Sequence, residues 1–346
     1  MRNKIFVARI IPDAGLQLLR QQFDVDVWQE FLPPNREAIL SRVKGVVGLL
    51  SLLSDRIDAE VMDAAGPQLR GIANFAVGYN NIDVAAAVER GIAVGNTPDV
   101  LTDATADTAV GLVLAAARHF QASILQVRSL QWKTWEPMGL LGHDLNGKTL
   151  GIVGMGRIGA AVARKLVGGW GMRVVYTSRS PKPEIDHEFN TTQVSMDDLL
   201  AQSDVISLHT DLNEQTKHMI GDREFALMKP NAILVNTARG GVIDQVALYK
   251  ALKSKSIFAA GLDVTDPEPL PNDSPLRELE NCTILPHIGS ATVEARDRMS
   301  VMAAQNLIAA SAGQPIPFSV RRVLDPIANQ IGQRFNAKFS HGSGSP

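Results

Sequence analysis

The feature that most constrains this chain is a glycine-rich turn between two short apolar runs. Residues 148–176 read KTLGIVGMGRIGAAVARKLVGGWGMRVVY, in which Gly154, Gly156 and Gly159 form the pattern G-x-G-x-x-G. Apolar residues after the turn recur at helical spacing, so the segment predicts a strand, a tight turn, a helix and a second strand. The first glycine of such a turn permits the bend, the second lets a pyrophosphate approach, and the third lets the helix pack closely. The stretch therefore predicts a dinucleotide-binding βαβ unit.

The end of the second predicted strand indicates which dinucleotide is bound. NAD-binding units place an Asp or Glu about twenty residues after the turn, where it binds the ribose hydroxyls. This chain has Thr177, Ser178, Arg179 and Ser180 instead. No acid is present there to repel a 2′-phosphate, and Ser178 and Arg179 can bind one. The sequence therefore predicts NADP(H) as the preferred cofactor, with NAD(H) as the alternative.

The composition argues against several classes of protein. The chain has 346 residues, 45% of them hydrophobic, which is enough for a large core and suggests two domains. A net charge of -2 gives no electrostatic reason to expect nucleic acid or an anionic membrane as a partner. The single cysteine, Cys282, and seven dispersed histidines predict no disulfide and no metal site. Without a signal-like or membrane-spanning stretch, we expect a cytoplasmic protein.

Alternating apolar runs and helical stretches predict two α/β regions. Before residue 98, apolar runs lie near Ile5, Val25, Val46, Ile72 and Ala93, separated by helical stretches such as 15–22 and 58–65. After the βαβ unit, strand-like runs at 205–209, 233–236, 259–264 and 283–285 complete a doubly wound sheet of about six or seven strands. Residues 99–118 and 290–310 predict long helices. The segment 119–146 is too irregular for one regular element, and its Trp132 and Trp135 suggest burial against a partner subunit.

Three residues that follow different predicted strands can perform chemistry together. They are Arg239 in VNTARGGVID, Glu268 in GLDVTDPEPLP and His287 in ILPHIGSAT. Parallel sheets gather such groups at the carboxyl ends of their strands. A carboxylate beside His287 would favour its protonated form, which could protonate the oxygen formed as hydride reaches a ketone carbon. Since a guanidinium binds a carboxylate in two places, the set suits a 2-oxo acid, although each residue alone is equally compatible with a structural role.

Six stretches of the chain resemble the D-isomer-specific 2-hydroxyacid dehydrogenases, and most closely their glyoxylate/hydroxypyruvate reductase branch. In order they are ANFAVGYNNID, TPDVLTDATADTAVGLVLAAAR, LGIVGMGRIG, VNTARGGVID, AGLDVTDPEPLP and LPHIGSAT, and the resemblance runs from about Lys4 to Val320. Two features depart from the family pattern. Asp107 stands where Glu is common, and Gly168-Gly169 makes the region before the second strand one residue longer, which affects the alignment of residues 177–179.

The resemblance implies an α/β fold with two Rossmann-like domains. One is a dinucleotide-binding domain with a doubly wound parallel sheet, residues 98–289. The other is a smaller, discontinuous, flavodoxin-like substrate domain, residues 1–97 plus 290–320. Beyond Val320 the chain becomes polar and ends in HGSGSP, so residues 321–346 are expected to be a disordered tail.

The resemblance also assigns roles to single residues. It implies that Arg239, Glu268 and His287 are the catalytic trio and that Val77 and Gly78 bind the substrate carboxylate through backbone amides. Further substrate-pocket positions are Ser290, Arg296 and Trp135, the last inserted by a partner subunit of a C2 homodimer. Besides the glycine motif, Ser178 and Arg179, the cofactor-lining positions are Thr105, Arg157, Ile158, His209, Thr210, Thr216, Ala238 and Asp263.

These observations predict an NADPH-dependent reductase that converts a small 2-oxo acid, glyoxylate or hydroxypyruvate, to the D-2-hydroxy acid. Within enzymes the alternative is a 2-ketogluconate reductase, because the size of the substrate pocket is set by loops near Leu52, Leu53, Met138 and Trp135. From another class, a corepressor-like protein that senses dinucleotides could retain the same trio. That alternative is disfavoured by Arg179, which suits NADP, and by the lack of an evident peptide-binding tail.

Overall fold

The computed structural model describes residues 2–320 of the chain. These residues form two compact units: unit 1 contains the residues up to Val100 and those from Thr292, and unit 2 contains Leu101–Ala291. Each unit has one parallel sheet flanked by helices, which confirms the predicted α/β class. The tail predicted to be disordered, residues 321–346, lies outside the described residues.

Unit 1 is built on a five-stranded parallel sheet with the order β2-β1-β3-β4-β5. Its strands are β1 (Lys4–Val7), β2 (Asp24–Val27), β3 (Gly48–Ser51), β4 (Gly71–Asn74) and β5 (Ala93–Gly95). Its helices are α1 (Asp13–Gln22), α2 (Arg36–Arg42), α3 (Ala59–Ala65), α4 (Val84–Glu89) and, from the end of the described chain, α12 (Val293–Ser311).

Local signals explain where the helices of unit 1 begin. Asn35, Asp58, Asp83 and Thr292 precede α2, α3, α4 and α12, and each side chain accepts a hydrogen bond from an amide of the first helical turn. Such caps satisfy N–H groups that have no partner inside the helix. Every residue of β3 and β4 is buried, as expected for central strands of a sheet covered on both faces.

Unit 2 is built on a six-stranded parallel sheet with the order β11-β10-β9-β8-β6-β7. Its strands are β6 (Thr149–Val153), β7 (Arg173–Thr177), β8 (Val205–Leu208), β9 (Ile233–Asn236), β10 (Ala259–Leu262) and β11 (Cys282–Ile284). Its helices are α5 (Thr102–Ala117), α6 (Phe120–Arg128), α7 (Arg157–Trp170), α8 (Pro183–Phe189), α9 (Met196–Gln202), α10 (Asp222–Leu227) and α11 (Gln245–Lys253), with 3₁₀ turns at Gly240–Val242 and Pro275–Glu278.

The order of these strands creates a switch point beside β6. From β6 the chain moves to β7 at one edge and then returns across β6 to β8 on its other side. Doubly wound sheets bind their ligands in the crevice at the carboxyl ends of the strands where the order reverses. In this unit that crevice lies beyond Val153 and Leu208.

Two apolar layers hold the helices of unit 2 onto the sheet. One layer packs α5 and α7 on one face and includes Leu112, Leu166 and Ile152. The other packs α9, α10 and α11 on the opposite face and includes Leu199 and Leu248. Asp107, where the family pattern has Glu, forms an ion pair from α5 to Lys165 Nζ on α7 at 2.9 Å.

The main elements match their predictions, with shifts at the ends. The predicted βαβ unit is present as β6, α7 and β7, while the helix expected from residue 99 begins at Thr102 and the one expected from residue 290 begins at Val293. The segment 119–146 was expected to be irregular, but its first part forms α6. Many apolar side chains of α6 are exposed, so the sequence shows no buried stripe typical of a surface helix.

Among the described residues, no single helix has the length and apolar character needed to cross a membrane. The pair α5 and α6 meets the length and composition criteria only when taken together, and it is bent by 68°.

Candidate active site

The glycine turn after β6 has the geometry that an anion-binding turn needs. Gly154 has φ +96°, and a Cβ there would lie 2.5 Å from the carbonyl oxygen of His209. A Cβ on Gly159 would lie 2.5 Å from the Gly154 carbonyl oxygen, so only glycine lets α7 start this close to the strand.

The middle glycine of the motif differs from the other two. A Cβ on Gly156 would meet no atom within 4 Å, and the residue is exposed where α7 begins. Open space in front of a helix N-terminus, whose first amides have no partner within the helix, fits the pyrophosphate of a dinucleotide. Arg157 and Ile158 occupy the first two positions of that helix, as predicted.

The loop after β7 carries Ser178 and Arg179 and is held by several hydrogen bonds. Ser178 Oγ donates to the Ser180 carbonyl at 2.5 Å, and Gln193 Nε2 donates to the Ser178 carbonyl at 2.6 Å. Farther along, the Lys182 amide donates to the hydroxyl of Tyr176 at 3.1 Å. These internal hydrogen bonds define the conformation of the loop, and Arg179 is exposed on it.

The end of β8 contains a histidine that stays neutral. The ring of His209 lies 2.8 Å from Ser207 Oγ through Nε2, and burial lowers the pKa of His209 to about 4. Thr210 follows, and Thr216 Oγ1 donates to the Asp211 carbonyl at 2.6 Å, which closes a turn next to the strand end. His209 and Thr210 lie beside the glycine turn, since a Cβ on Gly154 would lie 2.5 Å from the His209 carbonyl oxygen and 3.1 Å from Thr210 Cγ2.

Arg239 is positioned by the last residue of β9. Asn236 accepts from the Ala238 amide and donates to the Arg239 carbonyl, both at 2.9 Å, which defines the path of the chain after the strand. Burial lowers the pKa of the Arg239 guanidinium, while the nearby charges of Glu268 and Asp211 act in the opposite direction. The guanidinium is therefore a partly buried cation with two carboxylates nearby.

Glu268 and His287, which follow β10 and β11, are in contact. Glu268 Oε2 lies 2.8 Å from His287 Nδ1, with side chains 38% and 29% exposed, respectively. The other oxygen, Oε1, accepts from the Thr265 amide at 3.1 Å. Burial alone would raise the pKa of Glu268, but the contact with His287, the Thr265 amide and the charge of Arg239 outweigh burial and lower it. The carboxylate is therefore ionised at neutral pH, and His287 Nε2 remains available to a substrate.

Asp263 holds the chain that follows His287. Its carboxylate is buried and accepts from the amides of Ile288 at 2.7 Å and Gly289 at 2.8 Å, while His287 has φ +57°. Burial raises the pKa of Asp263, and the two amides oppose that effect. Thr105 packs beside this loop, since a Cβ on Gly289 would lie 3.4 Å from its methyl carbon. The sequence predicts Asp263 only as a cofactor-lining residue and does not predict its contact with the loop after His287.

The remaining predicted residues lie on other segments of the two units. Val77 and Gly78 follow β4 in unit 1, where the Arg296 guanidinium lies 5.7 Å from the centre of the Phe75 ring. Ser290 belongs to unit 2, just after the loop held by Asp263. The side chain of Trp135 is 79% exposed, in the segment after α6. Within residues 2–320 no three His, Cys, Asp or Glu side chains are grouped to hold a metal ion.

The doubly wound sheet and the glycine turn at its switch point define a protein that binds a nicotinamide dinucleotide, and comparison with known families agrees. The family model described as the NAD-binding domain of D-isomer specific 2-hydroxyacid dehydrogenases matches residues 110–289. The chain belongs to this family and is an NAD(P)-dependent D-2-hydroxyacid dehydrogenase.

Individual relatives match nearly the whole chain. A glyoxylate reductase of Korarchaeum cryptofilum is 50% identical over 318 residues, covering 92% of this chain and 95% of the relative. The structure of a glyoxylate reductase from Paecilomyes thermophila is 35% identical, with a TM-score of 0.81, 92% of this chain covered and 98% of the other. An NADPH-dependent glyoxylate/hydroxypyruvate reductase from Sinorhizobium meliloti, solved with NADP and malonate, is 30% identical, with a TM-score of 0.80 and coverages of 92% and 97%.

Proposed function

We propose that this protein reduces glyoxylate or hydroxypyruvate to the 2-hydroxy acid, of D configuration where the product is chiral, with NADPH as hydride donor. The observation that carries the proposal is the contact between Glu268 and His287 in the unit that also contains Arg239 and the glycine turn. The names of the relatives support the choice of substrate, since the similar proteins from Korarchaeum and Thermococcus are glyoxylate reductases.

The proton of the reaction comes from His287. With Nδ1 facing Glu268 at 2.8 Å, the ring presents Nε2 to the substrate carbonyl oxygen, and the carboxylate stabilises the charged ring before the proton is transferred. The bound dinucleotide supplies the hydride to C2. Arg239 binds the 2-oxo acid and polarises its carbonyl group, and its burial strengthens that interaction because water does not compete.

The dinucleotide is held at the start of α7 and along the strand ends of unit 2. Gly154, Gly156 and Gly159 leave room for the pyrophosphate, and the predicted lining residues lie on or after α5, β8, β9 and β10. Ser178 and Arg179 bind the 2′-phosphate of NADPH, since the loop contains no acid to repel it. The similar Sinorhizobium enzyme, which is NADPH-dependent and was solved with NADP, supports this preference.

The substrate carboxylate is held by the backbone amides of Val77 and Gly78. Accordingly, unit 1 serves as the substrate domain and unit 2 as the dinucleotide-binding domain. Ser290, Arg296 and the partner subunit's Trp135 are the further residues proposed to contact the acid and to limit its length. The glyoxylate reductases among the similar proteins support acids of two or three carbons over 2-ketogluconate.

A homodimer with C2 symmetry would cover the apolar surface of residues 120–141. Exposed apolar side chains are concentrated there: Phe120, Ile124, Leu125, Val127, Leu130, Trp132, Trp135, Met138, Leu140 and Leu141. Continuous apolar patches of this kind mark protein interfaces, and tryptophan is enriched in them. A second copy of the chain is the partner proposed for this surface. We place the enzyme in the cytoplasm, where its single buried thiol, Cys282, would stay reduced.

Steady-state kinetics with a panel of acids tests the proposed function. NADPH and NADH are each paired with glyoxylate, hydroxypyruvate and 2-ketogluconate, and kcat/KM is compared. We expect NADPH with glyoxylate or hydroxypyruvate to give the highest value. A higher value for 2-ketogluconate would reassign the substrate, and binding of dinucleotide without turnover of any acid would favour a sensor of dinucleotides.

A further inference from the structure

Two buried asparagines lie behind the loop that contains Val77 and Gly78. Asn74 is the last residue of β4 and is fully buried, and Asn96 follows β5 with 6% of its surface exposed. Buried amide side chains need hydrogen-bond partners, because an unsatisfied one is costly away from water. Both side chains have partners here, and both donate to carbonyls of this loop.

Three successive carbonyls of the loop are anchored in this way. The Ala76 carbonyl accepts from the Thr97 amide at 2.9 Å, the Val77 carbonyl from Asn96 Nδ2 at 2.7 Å, and the Gly78 carbonyl from Asn74 Nδ2 at 2.8 Å. In a trans peptide the carbonyl and the next amide point in opposite directions. Anchoring the carbonyls of Ala76 and Val77 therefore turns the N–H groups of Val77 and Gly78 away from the anchoring residues.

These two N–H groups are available to a ligand. Within residues 2–320 neither of them donates to an acceptor, and both residues are partly exposed. Successive amides that point the same way form a concave site for an anion. A carboxylate is an anion of suitable size for such a pair.

Further hydrogen bonds hold the two asparagines in place. Asn74 Oδ1 accepts from Ser51 Oγ at 3.0 Å, and Asn74 Nδ2 also lies 3.0 Å from Asn81 Oδ1. The Asn96 carbonyl accepts from Asn306 Nδ2 at 3.1 Å. The direction in which each amide donates is therefore defined by neighbours in unit 1.

We propose that Asn96 and Asn74 are positioning residues that orient the amides of Val77 and Gly78 toward the substrate carboxylate. Asn96 acts through the peptide that carries the Gly78 N–H, and Asn74 restrains the other side of Gly78. The inference rests on the proposed function, in which those amides bind the acid. Neither asparagine touches the substrate, so each affects binding of the acid and leaves the chemistry of the trio unchanged.

The test compares Asn96→Ala with the wild-type enzyme. We expect KM for glyoxylate to rise about tenfold, the effect of weakening one hydrogen bond to a charged group, with kcat within about twofold. The affinity for oxalate, a carboxylate probe, should fall by the same factor in the presence of NADP⁺, and the affinity for NADPH should not change. Asn96→Ser, which keeps a short polar side chain, should give an intermediate KM.

A matched control is Asn281→Ala in unit 2. Asn281 Nδ2 also donates to two carbonyls, those of Leu252 and Phe258, at 3.2 and 3.0 Å. This variant should lower Tm without raising KM for glyoxylate. If Asn96→Ala does not fold, Asn74→Ser provides the same comparison at the second anchored carbonyl.

The possible outcomes separate the inference from the proposed function. An unchanged KM for glyoxylate and an unchanged oxalate affinity in a folded Asn96→Ala variant would overturn the inference. So would an equal loss of kcat and of NADPH affinity in that variant, or an equal rise of KM for glyoxylate in Asn281→Ala. If the wild-type protein turns over none of the acids, the proposed function fails, and oxalate affinity alone decides the role of Asn96. A tenfold loss of oxalate affinity would then support the positioning role, and equal affinity would refute it.

Discussion

Replacing Glu268 with Gln tests how the carboxylate supports proton transfer. The substitution keeps the size of the side chain and an oxygen that can accept from His287 Nδ1, but it removes the negative charge. Glu268 contacts His287 at 2.8 Å and also accepts from the Thr265 amide. The variant therefore removes the charge while one oxygen still faces the ring, but its NH2 group cannot accept from the Thr265 amide as the second carboxylate oxygen does.

The structure sets the size of the expected effect. A hydrogen bond to a charged group contributes about 1.5–3 kcal/mol, and the 38% and 29% exposure of the two side chains places this pair at the lower end. About 1.5 kcal/mol corresponds to roughly a tenfold loss in kcat/KM for glyoxylate at neutral pH. The loss arises because the variant lacks the negative charge beside the ring proposed to donate the proton.

Steady-state rates measured from about pH 6 to pH 9 check this prediction. The pKa of Glu268 is below its ordinary value, so the wild-type carboxylate stays ionised across this range, and the stability it contributes is lost only at more acidic pH. Glu280→Gln is the matched control, since Glu280 is an exposed acid in the same unit. Equal kcat/KM values for Glu268→Gln and Glu280→Gln across this range would refute the role of the Glu268 charge.

Three further predictions concern the cofactor site. Gly156→Val should weaken NADPH binding and leave Tm of the cofactor-free protein nearly unchanged. Gly159→Val should lower that Tm, because its side chain would clash with the Gly154 carbonyl. Equal changes in Tm for the two variants would contradict this. The pKa of His209 is lowered to about 4, so the free energy of unfolding should fall by up to about 3 kcal/mol as pH drops from about 6.5 toward 4. Urea titrations at several pH values should show that the free energy of unfolding of His209→Asn depends less on pH. Arg179→Asp should reduce the ratio of kcat/KM for NADPH to that for NADH, and an unchanged ratio would rule out its contact with the 2′-phosphate.

Features that depend on neighbouring residues could be predicted from the sequence. The glycine pattern, the apolar run before it and the helical spacing after it lie within residues 148–176, and the structure has β6, α7 and β7 there. The approach of Glu268 to His287 could also be predicted, because both residues follow strands of one parallel sheet whose carboxyl ends meet.

Features that depend on distant pairing could not be predicted. Asn96 donates to the Val77 carbonyl 19 residues away, and Asp263 accepts from Ile288 25 residues away. The sequence shows that Asn96 follows β5 and Asp263 follows β10, but not which carbonyl or amide each side chain will reach. The helix α6 was missed for a different reason, since its exposed apolar side chains produce no one-sided pattern.

The most direct test of the account is a single-turnover experiment with His287→Gln. Enzyme loaded with NADPH is mixed with glyoxylate, and loss of the reduced nicotinamide absorbance is followed, while NADPH affinity is measured separately. We expect an NADPH affinity within about twofold of wild type and a turnover rate lower by ~100-fold or more, as for lost acid catalysis. Full turnover by the variant would contradict the assignment of His287 as the proton donor.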